Sequence, residues 1–495
     1  MKSPKQEITL KINGHEIHTP AGSSILEAAQ SAGIYIPTLC FLKDTNEIGA
    51  CRICVVEVVG SKSLMPACVT RAASGMEVRT DTPAVLESRR MTLELMCSDH
   101  NMSCTECVRG SDCELRDLCK MYEVDDHRFG EGERVPLLDG SSLHLLRDNA
   151  KCILCRRCMN TCRAVQGIGA ISANNRGSET NIGFGLKNAD TLCVNCGQCI
   201  QSCPTGALSV HDDTQEVWKA FADRKKHVVA VVSPYVGAML GESFGEPVGT
   251  DTAGKAVTML RRLGFDRVFA LPSPPVRGMD HEKKPVLSSS CPAWVKYCET
   301  YYPELKGNLS SAPGPAQAFG ALCKSRYTEA EGIKTEDMFT VSISPCTAEK
   351  FERTRGENLG NIDAVITVPE LAVMFRRACV SSFTTLQVWR EMPDGDYDDF
   401  PFGEAGPAAE LPDSTAMRIL LVSGLANAKK VLEEVKAGET DYDYIEIMAC
   451  PGGCLNGGGA PRKPGPARNF SNIAAGRAQA MTVADFFCPV TARRS

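Results

Sequence analysis

Polar and apolar residues alternate in two short segments near the start of the chain, over residues 7–12 and 16–19. Alternation with a period of two is typical of half-buried β-strands. Asn13-Gly14 joins the segments and is the dipeptide most typical of a two-residue hairpin turn. A capping-box pattern over residues 24–27 then predicts the start of a short helix. The chain is therefore predicted to open with a β-hairpin followed by a helix.

A different pattern begins near residue 226, where apolar runs alternate with segments of helical periodicity. The runs over 228–232, 267–271 and 364–367 predict buried strands. Thr252 is expected to cap a helix after the first run, and a helix with Pro369 in its first turn follows the last. Strands that alternate with helices favour a parallel sheet, so this half is predicted to be α/β.

Composition and charge indicate a globular protein of several domains. The 495 residues are 43% hydrophobic and 23% charged, an ordinary balance for folded chains. The 54 lysines and arginines against 60 acids give a formal charge of −6 without a long basic run, which argues against nucleic acid as a partner. The N-terminus lacks a signal-peptide pattern, and the most apolar stretch, 228–240, is too short to span a bilayer. A cytoplasmic protein is expected.

The chain carries 25 cysteines, whose spacings match metal sites rather than the disulfide frameworks of small secreted proteins. The first group has the spacing C-x10-C-x2-C-x13-C, which suits a loop that wraps a small rhombic cluster and takes its last ligand from a later strand. It resembles the [2Fe-2S] domain of complex I and of [FeFe]-hydrogenases, a β-grasp fold. The predicted [2Fe-2S] ligands are Cys40, Cys51, Cys54 and Cys68.

The second group lies over residues 100–113 and combines one histidine with three cysteines among polar residues. Zinc accepts the same Cys3His set, so ligand chemistry alone leaves zinc open. The motif resembles the His-ligated [4Fe-4S] motif of the complex I large iron-sulfur subunit and of [FeFe]-hydrogenases, which implies a cubane. Cys97 and Cys119 flank the motif without matching it and are predicted to be buried, packed thiols. The predicted ligands are His100, Cys104, Cys107 and Cys113.

The third group is an internal repeat of C-x2-C-x2-C-x3-C, typical of a protein with two [4Fe-4S] clusters. In such a repeat the fourth cysteine of each run binds the other cluster. Arg163 stands where the first run usually has proline, while Pro204 completes the second run. Zinc knuckles do not have this grouping of three plus one. The two predicted sets are Cys152, Cys155, Cys158 and Cys203, and Cys193, Cys196, Cys199 and Cys162.

Three further motifs lie in the C-terminal half: SSSCPAW (288–294), SPCTAEKFE (344–352) and EIMACPGGCLNGGGAP (446–461). The glycines of the third let backbone approach an inorganic cofactor closely. The motifs resemble the three signature motifs of [FeFe]-hydrogenases, which implies that four cysteines hold the cubane of the H-cluster and that Cys454 is the bridge to its diiron subsite. The predicted [4Fe-4S] ligands are Cys291, Cys346, Cys450 and Cys454.

The chain departs from the family at the diiron subsite. Ser290 occupies the position of the family's proton-relay cysteine, and Glu349 that of a lysine that donates to a diiron cyanide. A carboxylate beside an anionic ligand is repulsive. The stretch from Phe269 to Cys291 is short, and FGEAGPAAELPD replaces a family segment that packs around the diiron cofactor. An intact diiron pocket is therefore not expected, and no catalytic residue is assigned.

These patterns predict an α+β multidomain protein. The predicted domains are a β-grasp [2Fe-2S] domain (1–80), a His-ligated [4Fe-4S] domain (81–140), a two-[4Fe-4S] ferredoxin-like domain (141–215) and a truncated α/β hydrogenase-like domain (226–495). The remaining cysteines have no cluster spacing and are predicted to be packed thiols. They are Cys298, Cys323, Cys379 and Cys488.

The predicted function is an electron relay through one [2Fe-2S] and four [4Fe-4S] clusters. The chain lacks a GxGxxG dinucleotide fingerprint and a flavin motif, so partners must exchange the electrons. The resemblance implies a flavin- and NAD(H)-binding subunit and a small thioredoxin-like [2Fe-2S] subunit, as in NADH-dependent and electron-bifurcating complexes. A ferredoxin or a formate dehydrogenase-type subunit is a further candidate. The alternatives are an active [FeFe]-hydrogenase and a redox or hydrogen sensor.

Overall fold

The computed structural model describes the chain in thirteen stretches. They are residues 6–105, 107–110, 112–125, 127–130, 138–140, 142, 144–184, 192–271, 284–378, 387–390, 392–399, 418–462 and 470–481.

Seventeen strands lie within these described stretches. They are β1 (Glu7–Ile12), β2 (His15–Pro20), β3 (Val55–Val58), β4 (Met65–Pro66), β5 (Glu77–Arg79), β6 (Leu138–Asp139), β7 (Leu145–Asp148), β8 (Ser172–Asn174), β9 (Asn181–Gly183), β10 (Leu208–Val210), β11 (His227–Val232), β12 (Arg267–Ala270), β13 (Val286–Leu287), β14 (Met338–Ile343), β15 (Ala364–Ile366), β16 (Ile419–Ser423) and β17 (Tyr444–Met448).

The α-helices of the same stretches are mostly short. They are α1 (Ile25–Ser31), α2 (Pro83–Ser98), α3 (Glu114–Met121), α4 (Arg157–Asn160), α5 (Gln198–Ser202), α6 (Thr214–Ala222), α7 (Gly237–Leu240), α8 (Ala253–Leu263), α9 (Pro292–Tyr301), α10 (Pro315–Leu322), α11 (Thr328–Glu331), α12 (Glu349–Glu352), α13 (Val368–Ala378), α14 (Leu425–Ala437) and α15 (Phe470–Ala478).

The predicted N-terminal hairpin is confirmed. β1 and β2 pair antiparallel with Leu10 opposite Ile17, and both turn residues have positive φ, 50° at Asn13 and 82° at Gly14, as a primed hairpin turn requires. The hairpin belongs to a mixed five-stranded sheet of order β2-β1-β5-β3-β4. The predicted capping box is also present, because Ser24 and Glu27 exchange hydrogen bonds at the start of α1.

The predicted parallel architecture of the C-terminal half is confirmed. One parallel sheet has the order β12-β11-β14-β15 and a second has the order β13-β17-β16. Strands β11, β14 and β15 of the first sheet are buried on both faces, as in sheets covered by helices. The three C-terminal cysteine motifs follow β13, β14 and β17, so the carboxyl ends of both sheets lie toward the same crevice.

A turn over residues 234–236 follows β11 and leads into α7. One detail of this half differs from the sequence predictions. Thr252 precedes α8 but does not cap it, because its buried hydroxyl donates to Gly237 O at 2.7 Å instead. The close packing of α7 on α8 draws this hydroxyl away from the helix end.

Several sequence predictions fall on residues outside the described stretches. These are the segment between β12 and β13 over 272–283, the FGEAGPAAELPD segment, and the cysteines at 379 and 488. Residues 463–469 also lie outside the described stretches, and Phe470 begins α15. In the described part of the chain, none of the helices has the length and apolar character needed to cross a membrane.

Candidate iron-sulfur sites and a C-terminal cavity

The four cysteines of the predicted [2Fe-2S] loop converge in the interior. Cys54 leads into β3 and Cys68 follows β4, and all four side chains, those of Cys40 and Cys51 included, are at most 6% exposed. The Cys51 N–H donates to Cys40 Sγ at 3.5 Å, and a hydrogen bond from Cys40 lowers the pKa of Cys51 to about 6. Arg52 has φ 59°, a left-handed conformation found where backbone N–H groups surround an anion. The loop fits an anionic cluster.

The predicted His-ligated set lies where α2 ends and α3 begins. Cys113 immediately precedes α3. Burial raises the pKa of Cys113. Hydrogen bonds from two backbone N–H groups in the first turn of α3 lower this pKa, and electrostatic interactions with Cys107 and Cys104 raise it. His100 follows α2 and donates its backbone N–H to Cys97 O at 3.0 Å. The three thiols therefore lie within electrostatic reach of one another at the start of a helix.

The two runs of the tandem repeat have the same backbone conformation. A left-handed residue stands on each side of the second cysteine: Leu154 (φ 53°) and Arg156 (φ 62°) in the first run, Asn195 (φ 59°) and Gly197 (φ 68°) in the second. Positive φ is uncommon outside glycine, and alternation of right- and left-handed residues turns successive N–H groups into one anion-binding concavity. Both loops have the concave backbone that thiolate-ligated clusters require.

The fourth cysteine of each run lies with the triplet of the other run, as the repeat predicts. Burial raises the pKa of Cys158, and Cys155 and Cys203 raise it further. Cys162 acts in the same direction on the pKa of the buried Cys199. A small cavity is lined by the whole first set, Cys152, Cys155, Cys158 and Cys203.

Buried polar side chains connect the first three ligand sets. Asn46 donates from Nδ2 to Cys40 O at 2.6 Å and to Cys155 O at 3.0 Å, so one amide joins the [2Fe-2S] loop to the tandem repeat. Arg157 donates to the carbonyl of the residue after Cys40 at 3.1 Å and to Glu114, which adjoins the His-ligated set, at 2.9 Å. These bonds fix the three loops against one another.

A second group of contacts connects the tandem repeat to the third C-terminal motif. Gln201 donates to Gly458 O at 3.1 Å and to Ala460 O at 2.6 Å. Cys450 Sγ lies 4.0 Å from Cys196 O. A Cβ at Gly458 would lie 2.4 Å from the same carbonyl, so this approach requires glycine. The loops that carry the second tandem set and the C-terminal set are in direct contact.

The four C-terminal cysteines come from the ends of three strands and converge. The Ala449 N–H donates to Cys291 Sγ at 3.5 Å. Burial is the largest cause that raises the pKa of Cys346. Electrostatic interactions raise it further, the largest with Glu349 and the next with Cys291, Cys454 and Cys450. In the part of the chain that the structure describes, no group of three or more His, Cys, Asp or Glu side chains is arranged around the position of a single metal ion.

A cavity of about 120 Å³ adjoins this set at the carboxyl ends of the two parallel sheets. Space is therefore present beside Cys454, which the sequence did not lead us to expect. Two of its walls carry carboxyl groups. Its polar lining residues include Ser290, Ser344, Glu349, Glu352, Tyr444 and Glu446.

The first wall follows β14 and carries two acids, the partly exposed Glu349 and the buried Glu352. Glu349 accepts hydrogen bonds from Ser342 Oγ at 2.7 Å and Ser344 Oγ at 2.6 Å. Burial raises the pKa of Glu349, and burial, with Glu349 next to it, raises the pKa of Glu352 to about 8. Desolvation thus favours the neutral, protonated acids on this wall.

The opposite wall follows β13 and β17. Ser290 donates to Glu446, and the Tyr444 hydroxyl donates to the same carboxyl at 3.2 Å. Burial raises the pKa of Glu446, while the bonds from Ser290 and Tyr444 oppose the shift. The hydroxyl at the family's relay position therefore donates to a partly buried acid.

Lys350 follows Glu349 in the chain but does not take over the position of the family's lysine. Its ammonium donates to Val365 O at 2.7 Å and pairs with Glu370 at 3.1 Å and with Asp213 at 3.3 Å. Lys350 is 2% exposed. It is not among the residues that line the cavity.

Sequence reasoning missed the bridging and cavity residues. Arg157 stands between two cysteines of a cluster run and Glu446 opens the third motif, so their positions in the motifs were the available signal. Glu352 ends the second motif and carried the same signal. Asn46 carried none, because its partner Cys155 lies 109 residues away.

Converging thiol loops and parallel sheets whose ends carry three cysteine motifs define a hydrogenase-like iron-sulfur protein. The sequence models of known families agree. Residues 226–273, 276–410 and 403–458 match the iron only hydrogenase large subunit, C-terminal domain. The N-terminal matches are a 2Fe-2S iron-sulfur cluster binding domain (5–83), the NADH-ubiquinone oxidoreductase-G iron-sulfur binding region (89–128) and a 4Fe-4S dicluster domain (151–207).

The chain belongs to the [FeFe]-hydrogenase large subunit family, with an N-terminal part of the complex I type. It is 36% identical to the NADP-reducing hydrogenase subunit HndD of Solidesulfovibrio fructosivorans, over 92% of this chain and 88% of that protein. It is 34% identical to iron hydrogenase 1 of Clostridium pasteurianum, with the same two coverages, 92% and 88%. The mitochondrial NADH dehydrogenase [ubiquinone] iron-sulfur protein 1 of Solanum tuberosum is 30% identical over 42% of this chain and 28% of that protein.

Proposed function

We propose that this chain is the iron-sulfur electron-transfer subunit of a cytoplasmic, NAD(P)H-linked oxidoreductase complex, without H2 chemistry of its own. Its predicted domains cover 1–80, 81–140, 141–215 and 226–495. When bound, its one [2Fe-2S] and four [4Fe-4S] clusters carry electrons one at a time. The five ligand sets are Cys40/Cys51/Cys54/Cys68; His100/Cys104/Cys107/Cys113; Cys152/Cys155/Cys158/Cys203; Cys193/Cys196/Cys199/Cys162; and Cys291/Cys346/Cys450/Cys454.

The observation that carries this proposal is the continuity of contacts between neighbouring ligand loops. Asn46 spans the carbonyls of Cys40 and Cys155, and at the other end of the tandem repeat Cys450 approaches Cys196 O. A relay needs each centre at a fixed short separation from the next, and buried hydrogen bonds supply that rigidity. The chain's own residues thus position every set against another.

The cavity chemistry argues against a diiron subsite. The family places a cation at the position of Glu349 and a thiol at that of Ser290. Here the first position is an acid with a raised pKa, and Lys350 binds other partners. Neutral acids do not supply the positive charge that an anionic cyanide ligand favours. The residues present do not fit the diiron group.

The relatives support a complex with partner subunits. HndD is named a subunit of an NADP-reducing hydrogenase, and another relative, from Geobacter sulfurreducens, is named NADPH-Fe(3+) oxidoreductase subunit alpha. We propose a flavin- and NAD(H)-binding subunit and a small thioredoxin-like [2Fe-2S] subunit as partners. They would supply the nucleotide and flavin chemistry.

A second candidate is an active [FeFe]-hydrogenase. The specific observation in its favour is the cavity of about 120 Å³ next to Cys454. A family scaffold that retains space beside the predicted bridging cysteine offers room for a small cofactor, although its walls carry acids.

The two candidates are separated by producing the complex anaerobically together with the hydrogenase maturation enzymes. The relay predicts iron near the five-cluster total, NAD(P)H-dependent reduction of a one-electron dye, and no infrared bands of carbon monoxide or cyanide. Cys454→Ser should lower dye reduction, whereas Cys298→Ser, which changes a buried cysteine outside the ligand sets, should not. Bands together with H2 turnover that Cys454→Ser abolishes would overturn the relay.

A further inference from the structure

Two cysteines outside the five ligand sets lie in contact. Cys97 Sγ and Cys119 Sγ are 3.4 Å apart. Cys97 is 3% exposed in the last turn of α2, and Cys119 is partly exposed near the end of α3. The sequence predicted two separate packed thiols, but the folding of α2 against α3 makes them a pair.

The geometry of the pair suits a disulfide. A disulfide bond is about 2.0 Å long, so the two sulfurs need to approach by about 1.4 Å from their 3.4 Å separation. Side-chain rotation in two helices already in contact can supply much of a movement of this size. Two cysteines on helices that are far apart cannot form a disulfide unless the backbone moves. Here the two sulfur atoms are already 3.4 Å apart.

The chemical setting indicates a reversible bond rather than a permanent one. Disulfides in reducing compartments are usually transient and either catalytic or redox-sensing. Exchange begins with attack by an accessible thiolate on a disulfide sulfur. Cys119 has the exposure for that attack and Cys97 is buried behind it, which gives the two residues different roles.

We propose that Cys97 and Cys119 form a redox-active dithiol site whose substrate is a small-molecule disulfide. The Cys119 thiolate attacks the substrate, forms a mixed disulfide and releases one small thiolate. The Cys97 thiolate then attacks Cys119 Sγ, forms the Cys97–Cys119 bond and releases the second. Two electrons pass from the cysteines to the substrate, and the protons of the two protein thiols end on the two released thiols.

The site is placed to influence the neighbouring predicted cluster set. Cys97 O accepts the backbone N–H of His100 at 3.0 Å, and Cys113 immediately precedes α3, which carries Cys119. Closing the disulfide joins the two helices from which this set departs. The oxidation state of the dithiol is therefore coupled mechanically to the His-ligated loop.

The test is thiol mapping on the anaerobically purified complex. The complex is equilibrated with glutathione at increasing ratios of disulfide to thiol, alkylated and digested, and the cysteine peptides are weighed. We expect a peptide that links Cys97 to Cys119 and is two hydrogens lighter than the dithiol form. Excess reduced glutathione should remove the link.

Two variants assign the roles, and two buried cysteines provide the control. Cys97→Ser should trap glutathione on Cys119, and Cys119→Ser should leave Cys97 unmodified. Cys298 and Cys323, which are both buried, should be unlinked throughout. The wild-type map does not depend on the folding of either variant. If both cysteines stay fully alkylatable at every glutathione ratio, or if glutathione attaches to Cys97 rather than to Cys119, the proposal is overturned.

Discussion

Buried charge is handled differently in the ligand-loop region and around the C-terminal cavity. Between the ligand loops, acids and cations are paired: Glu114 binds both Arg157 and Arg462. Around the cavity, Glu349 and Glu446 accept hydrogen bonds from hydroxyl groups. The first arrangement holds charge in fixed geometry. In the second, burial raises the pKa of both acids, and the hydroxyl donors oppose that shift only in part.

The ion pairs between the ligand loops hold those loops in position, whereas the acids around the cavity are groups that can carry a proton. A buried ion pair ties two loops together, and its loss leaves an uncompensated charge. Around the cavity, burial raises the pKa of Glu349 and Glu446, and that of Glu352 to about 8, which favours the neutral forms of these acids. The ion pairs between the ligand loops therefore fix distances, whereas the cavity acids Glu349 and Glu446 bring no cation to the cavity.

The largest expected effect comes from breaking the ion pair between the loops. Arg157→Met removes the partner of Glu114 and of the carbonyl after Cys40. Breaking one side of a buried pair costs about 3–5 kcal/mol, so thermal unfolding of the complex should shift downward by many degrees. Arg163→Met, at an exposed position of the same run, is the matched control. An equally small shift in both variants would mean that Arg462 alone satisfies Glu114.

The next effect tests the cavity acids through pH. The pKa of Glu352 is raised from 4.5 to about 8 by burial, so its stabilising contribution is fully present below pH 4.5 and is lost as pH rises through 8. Relative to wild type, Glu352→Gln should gain on the order of a few kcal/mol between pH 5 and pH 9. Thermal unfolding at the two pH values measures the gain. A constant difference would show that Glu352 does not titrate in this range.

Local patterns in the sequence predicted much of the fold. Asn13-Gly14 specifies its turn and the capping box at Ser24 its helix, because both depend on neighbours within a few residues. The spacing within each tandem cysteine run is local in the same way, whereas the assignment of its fourth cysteine to the other cluster rests on the pattern of such repeats and stays a prediction. The parallel sheets followed from the alternation of apolar runs with helices.

What the sequence left out depends on packing between distant segments. Asn46 meets Cys155 across 109 residues, and no local pattern encodes such a bond. Cys97 and Cys119 come together only because α2 packs on α3. Thr252 is a residue type that commonly caps helices, yet its hydroxyl donates to the nearby Gly237 O instead. Tertiary contacts decided each of these outcomes.

A smaller effect tests the amide bridge between two ligand loops. Asn46→Ala leaves Cys40 O and Cys155 O without their shared donor and should cost about 1–3 kcal/mol of stability. It should also slow dye reduction by NAD(P)H, because two loops lose their fixed separation. Asn308→Ala removes one partly buried bond, to Pro285 O at 3.0 Å, and should leave dye reduction unchanged. Equal rates of dye reduction in wild type and Asn46→Ala would mean that the Asn46 amide does not hold the two loops at the separation that electron transfer needs.

The smallest effect concerns the hydroxyl at the family's relay position. Ser290→Ala removes one of the donors to Glu446, while Tyr444 remains, so we expect a loss of about 1 kcal/mol. Ser289→Ala, which removes a bond to Ala312 O at 2.6 Å, is the neighbouring control. Ser290→Cys restores the family's residue, yet Glu349 still supplies no positive charge to an anionic ligand, so this single change should not produce H2 turnover. H2 evolution by Ser290→Cys after maturation would mean that the wild-type chain lacks H2 turnover because the thiol is missing, and not because the cavity walls carry acids.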